Sequence, residues 1–309
     1  MPAIVEQLPR SKGSEADLAN PLSQPALPKG DTFDGVNFGE LEYHFFKGQA
    51  STGKYEYTDV IQGEIGDCFF LSSSVAINAV DPEFLGGHVE NKPDGTHIIT
   101  LFNWLGTHDP IKVAVDNQFP VHEGKMVFGR GRGNPGKDGR DDFDLRPALQ
   151  EKAYAKLKGS YRVINEGGIG GEGLVAQTGL EAKTYEMKMM SDDDLWRKIS
   201  KFKEQWTPVI TSSPEPAELK RRIHEWTGQE LEDLENLDGL IDGHFYGLVG
   251  VFTKPDGTRM VQLGTALRPK DATYTNTKRS IDLPLSAWRK YFDNVTISAP
   301  LPLRGAQKL

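Results

Sequence analysis

Apolar positions along this chain fall into two kinds of pattern. Up to about residue 30 there is no apolar period, and Pro25 and Pro28 obstruct regular helix, so residues 1–30 are expected to form a mobile arm. From Asp67 to Val80 the residues Phe69, Phe70, Leu71, Val75, Ala76 and Ala79 are spaced as in a largely buried helix, which Pro82 stops. Strands are predicted near His97–Trp104 and Ile111–Asn117, the second alternating through Ile111, Val113 and Val115. Gly124–Asp142 reads as a loop. Leu145–Lys158 carries Leu145, Leu149, Ala153 and Leu157 on one stripe, with Gly159 as its cap. A glycine-rich turn, Gly167–Gly173, leads into a short helix ending at Gly179.

Beyond Gly179 strands dominate. Helices are predicted over Asp192–Gln205 and Ala217–Leu234, the second charged and exposed, and a strand over Pro208–Ser212. Phe245–Phe252, Arg259–Leu267 and Ile281–Leu285 follow as strands. The Lys254-Pro-Asp-Gly257 turn makes the first two a hairpin. Trp288–Phe292 is a short helix and Val295–Ser298 a last strand. The fold class is therefore α+β, with a helix-rich first subdomain over 31–180 and a strand-rich second over 181–309.

Composition narrows the function. The net charge of -8 argues against a general nucleic-acid binder, which needs a basic face to displace counterions. The basic run Arg130, Arg132, Lys137 and Arg140 is rich in glycine, abuts Asp141 and Asp142, and reads as a solvated loop. No apolar run reaches spanning length and no secretory signal is visible. A soluble monomer is expected, cytoplasmic or exported by a route that needs no such signal.

The single cysteine, Cys68, excludes an internal disulfide and a multi-cysteine zinc site. It falls in the first turn of a predicted helix, where the backbone dipole favours thiolate over thiol. Gln62, six residues earlier across a glycine-containing loop, is placed to donate an N–H to an oxyanion beside the Cys68 amide. His244, between Gly243 and an apolar strand, is one candidate base among seven histidines. Spacing alone leaves the choice open.

Three stretches resemble the calpain family. Gln62-Gly-Glu-Ile-Gly-Asp-Cys68 matches its Gln-Gly-x-x-Gly-Asp-Cys active-site segment, with Phe69 in place of the usual Trp. Leu149–Lys156, continuing to Gly159-Ser-Tyr161, resembles the helix that follows, and Ile111–Pro120 the strand before it. Gly239-Leu-Ile-Asp-Gly-His-Phe-Tyr246 is similar to the segment that carries the family's catalytic histidine, here His244. The likeness runs from about Tyr43 to Ser298 and covers a protease core alone.

The resemblance implies a papain-like fold with a cleft between two subdomains. It also implies an endopeptidase acting on proteins or peptides in extended conformation. Cys68 would be the nucleophile that forms a thioester, His244 its base and acid, held with it as a thiolate–imidazolium pair, and Gln62 an oxyanion donor. The family's orienting Asn is replaced by Thr265, with Gln262 as an alternative acceptor if the register shifts. The resemblance further assigns a Ca²⁺ to the first subdomain, with Asp59 and Glu151 as carboxylate ligands. No second calcium site is expected, because the Thr265–Ser286 connection is short. Two rivals accompany this reading. One is a pseudoprotease that keeps the cleft to bind peptide. The other is a transglutaminase- or deamidase-like acyl transfer on the same fold.

Overall fold

The computed structural model describes residues 13–27, 32–33, 36–37, 40–47, 50, 54–122, 125–131, 133–135, 141–227, 240–267 and 280–302. Its architecture is α+β. Helix α1 (Glu15–Ala19) comes first, followed by α2 (Cys68–Val80), α3 (Arg146–Lys158), α4 (Tyr161–Asn165) and α5 (Gly170–Thr178). Short antiparallel strands surround them, notably His97–Phe102 paired with Pro110–Val115. After residue 180 one six-stranded antiparallel sheet dominates. Its strands are β1 (Ala182–Glu186), β2 (Val209–Ser212), β3 (Phe245–Thr253), β4 (Arg259–Gly264), β5 (Ser280–Pro284) and β6 (Asn294–Ser298). They lie in the order β1-β6-β2-β3-β4-β5. Helices α6 (Asp192–Ile199), α7 (Pro216–Thr227) and α8 (Leu285–Tyr291) complete this half.

Helix α2 is the central element. Residues Phe69 to Asn78 are all buried, so its polar side chains need partners inside the protein. Ser72 donates to the Phe245 carbonyl at 2.6 Å, and Ser74 to Gln177 Oε1 at 2.6 Å. Gln177 Nε2 in turn donates to the Phe70 carbonyl at 2.7 Å. One apolar cluster fills the first half around Phe69, Phe70, Leu149 and Tyr154, and a second fills the other half around Trp288, Tyr246 and Val261. A third, with Ala76, Ile77, Leu174 and Ile210, joins α2 and α5 to β2 and so binds the halves together.

Several expectations are corrected. Residues 13–27 are not a mobile arm. Ser14 caps α1, the Gly13 amide donates to the Leu157 carbonyl at 3.1 Å, and Lys156 Nζ donates to the Asn20 carbonyl. Tyr43 donates to the Pro25 carbonyl at 2.7 Å, and Ala26 bridges to Ser160. Polar anchors on α3, Tyr43 and Ser160, together with Leu18 buried in the first apolar cluster, hold this segment where no apolar period exists. The stretch Gly124–Asp142 contains strand pairs of two and three residues. Among them Arg130 pairs with Ile61, which puts this segment beneath the Gln62 loop. Arg132, Lys137 and Arg140 of the basic run have side chains outside the described residues. Helix α6 ends at Ile199 and passes through turns to Trp206, which takes a left-handed φ of 53°. Helix α7 buries Leu219 and Ile223, so it is amphipathic rather than exposed all round, and the predicted extension over 228–239 lies outside the described residues. Strand β4 stops at Gly264, which releases Thr265 from the sheet.

Candidate active site

The loop that delivers Cys68 is set by close backbone approach. A Cβ on Gly63 would lie 2.0 Å from the Val127 carbonyl oxygen, and one on Gly66 2.6 Å from that of Asn165. Both positions therefore demand glycine. The Gly66 amide donates to Asn165 Oδ1 at 2.8 Å, and the Glu64 amide to the Val127 carbonyl at 2.8 Å. Cys68 then opens α2, half-buried, with its thiol within reach of the Phe245 amide.

His244 is held from several sides. Gly243 turns into it with φ of 50°, and β3 starts at the next residue. Its own amide donates to Ser213 Oγ at 3.0 Å, while Ser213 donates to the Ile241 carbonyl at 2.7 Å. The ring packs edge-on against Tyr246, with centroids 5.2 Å apart. Its Nε2 lies 2.8 Å from Thr265 Oγ1, which also accepts the Leu267 amide at 3.1 Å. Gln262 is elsewhere: it pairs with Gly250, and its Oε1 would lie 2.9 Å from a Cβ placed there.

Gln62 is 7 % exposed. Its Nε2 donates to the Ile65 carbonyl at 2.8 Å, which fixes the amide orientation and leaves a second N–H. The Gln62 backbone amide donates to the Ala266 carbonyl at 2.9 Å. The oxyanion candidate and the residue after Thr265 are thereby tied to each other across the two halves.

Burial governs the electrostatics. The Cys68 thiol is pushed up to about 11, chiefly by desolvation; the Phe245 amide works against this and Asp67 adds to it. Desolvation pushes His244, 5 % exposed, down to about 4. For each group taken singly, burial favours the neutral form, thiol at Cys68 and imidazole at His244.

Behind Cys68 lies a feature that sequence reasoning missed. Asp67 and Glu151 are both fully buried, and none of their four carboxylate oxygens has a hydrogen-bond partner among the described residues. Desolvation raises both well above the carboxylate range, and Asp67 raises Glu151 further. Ser213, Asn165 and Ser72 were missed as well. Nothing in their local sequence separates them from ordinary loop or helix residues.

The family model of calpain family cysteine proteases matches residues 42–268. The chain belongs to the calpain family of cysteine proteases. It is 32 % identical over 139 residues to the calpain-1 catalytic subunit of Bos taurus, which covers 44 % of this chain and 18 % of that protein. It is 26 % identical over 274 residues to the calpain-type cysteine protease DEK1 of Arabidopsis thaliana, covering 82 % of this chain and 11 % of the relative. The chain therefore spans less than a fifth of these relatives' own lengths. Among the described residues no helix is long and apolar enough to cross a membrane.

The calpain resemblance assigned a calcium to Asp59 and Glu151. The structure sends these two side chains to different neighbours. Glu151 faces Asp67, with Gly129 against its Oε2 and Arg130 as the nearby cation. Asp59 closes a capping box, its Oδ2 accepting the Glu56 amide at 3.1 Å, and its neighbouring cation is Arg146. Among the described residues no group of three or more His, Cys, Asp or Glu side chains is placed to hold a metal ion.

Proposed function

We propose that the protein is a cysteine endopeptidase that cuts extended segments of protein substrates through a Cys68 thioester. The observation that carries this reading is the seating of His244. Its Nε2 is engaged by Thr265 at 2.8 Å, and the next residue, Phe245, offers its amide to the Cys68 thiol. With Thr265 accepting from Nε2–H, Nδ1 keeps the lone pair that takes the thiol proton.

His244 takes the Cys68 thiol proton, and the sulfur attacks the peptide carbonyl carbon. The second Gln62 N–H and the Cys68 backbone N–H stabilise the oxyanion that forms. Collapse breaks the C–N bond, and His244 gives its proton to the leaving amine. Water, deprotonated by His244, then cleaves the thioester, which releases a new carboxylate and restores the thiol.

The test is incubation of the protein with an unfolded protein substrate, followed by mass analysis of the products. New termini that appear with the parent protein and vanish with Cys68→Ala and with His244→Ala are the expected result. An uncut substrate would leave a peptide-binding pseudoprotease. A mass shift without cleavage would mean transglutaminase- or deamidase-like transfer.

A further inference from the structure

The helix that carries Asn165 rests on the N-terminal segment. Helix α4 has only 5 residues, Tyr161–Asn165. So short a helix is unstable by itself, and its first amides have no acceptor within it. Two acceptors come from the flanking chain. Ser160 Oγ accepts the Val163 amide at 3.3 Å, and the Ala26 carbonyl accepts the Tyr161 amide at 3.1 Å. Ala26 belongs to the segment 13–27, which is pinned just before it. Gln24 Nε2 donates to Asp116 Oδ2 at 2.9 Å, and Tyr43 donates to the Pro25 carbonyl at 2.7 Å. Leu18, 6 % exposed, secures the earlier part of the segment in the first apolar cluster.

The two ends of α4 meet the loop between Gln62 and Cys68 at different places. At the C-terminal end, Asn165 Oδ1 accepts the Gly66 amide at 2.8 Å, and the Asn165 carbonyl oxygen would lie 2.6 Å from a Cβ on Gly66. At the N-terminal end, the Tyr161 ring packs against that of Phe128, with centroids 4.6 Å apart. The Phe128 backbone would lie 2.5 Å from a Cβ on Gly63. Between these two glycines is Ile65, whose carbonyl accepts from the Gln62 side chain. One short helix therefore backs both glycines of the loop, and it takes an acceptor for its first amide from residue 26.

We propose that Asn165 is a positioning residue for the loop that presents Gln62 and Cys68, and that the segment 13–27 braces this loop through α4. The inference deepens the proposed function and rests on it only in calling the loop catalytic. Releasing Ala26 takes the acceptor from the Tyr161 amide, and a helix of 5 residues frays without it. Asn165 then no longer holds the Gly66 amide, and Cys68, two residues on, loses its fixed approach. Asn165 thus acts through Gly66 rather than on the substrate.

The experiment is hydrogen exchange at individual amides of the full chain, read by NMR, with kcat on a protein substrate measured on the same preparations. Tyr43→Phe combined with Gln24→Ala unpins the segment. It is expected to speed exchange at Tyr161 and, with it, at Gly66 by about tenfold, as the loss of one or two hydrogen bonds does. Asn165→Ala should speed exchange at Gly66, leave Tyr161 as in the parent and lower kcat. Asn165→Asp, whose carboxylate still accepts, should restore both. Added to Asn165→Ala, the unpinning substitutions should change nothing more at Gly66, because that link is already cut. If the combined variant fails to fold, Tyr43→Phe alone takes its place. Exchange at Gly66 that ignores the unpinning, effects that simply add, or an Asn165→Ala variant with parental kcat would overturn the proposal. A parent chain that cuts nothing would overturn the proposed function instead, and exchange at Gly66 would still decide this inference.

Discussion

Thr265 shows how much a single side chain can decide. Its hydroxyl already accepts the Leu267 amide, so toward His244 Nε2 it can either accept or donate. Only the accepting arrangement leaves Nδ1 free for the thiol proton, and a hydroxyl does not enforce it. A carboxamide oxygen would. Thr265→Asn is therefore expected to raise kcat on a peptide substrate. Thr265→Val, which removes the partner and keeps the shape, should lower kcat by up to about 10². Circular dichroism should show both variants folded; equal rates in all three proteins would mean that nothing orients the imidazole through this position. Sequence reading left Thr265 and Gln262 open because a one-residue slip in a strand reverses its faces. What decides is that β4 ends at Gly264, while Gln262 is still paired in the sheet over Gly250.

At the scale of elements, the helix that carries Cys68 is pressed against the strand that follows His244. A Cβ on Gly247 of β3 would sit 2.7 Å from the Ala76 backbone nitrogen and 2.9 Å from Val75 Cγ1. Because the first of these is backbone, α2 itself must move to admit a methyl. Gly247→Ala is expected to cost about 1–3 kcal/mol, as overpacking does. It should also lower the rate of peptide cleavage by more than the stability loss explains, since Cys68 moves with the helix. Urea unfolding and cleavage rate, measured on the same preparation, check this; a variant with parental stability and rate would show that the interface is loose. The large elements were legible beforehand because α2, α3 and β3 carry long apolar patterns. Strands such as Arg130–Gly131 and Val60–Ile61 were not, since two residues cannot show a period and their pairing is a tertiary fact.

Across the whole molecule, the site is built by burying polar groups, and this predicts a response to acid. His244 is pushed down to about 4 by desolvation, and so is His88, which packs edge-on between Phe84 and Phe102. In the unfolded chain each returns to about 6.5. Above that pH neither state binds the proton, and the native protein has the full benefit of its neutral cores. As pH falls below about 6.5 the unfolded chain takes up protons that the native one refuses. Stability is therefore lost progressively until about pH 4, where the native imidazoles also titrate. Each group accounts for about 3 kcal/mol over that window. Two of them amount to a large share of an ordinary stability of about 5–15 kcal/mol. The Asp67–Glu151 pair, whose carboxyls are raised, acts in the opposite sense and offsets part of the loss on acidification. The informative measurement is therefore a comparison of variants. Urea unfolding at about pH 7 and about pH 4.5 should show a smaller acid penalty in His88→Phe than in the parent, by about 2–3 kcal/mol. An identical penalty in both would mean that His88 is protonated in the native state, and that its burial between Phe84 and Phe102 does not hold in solution.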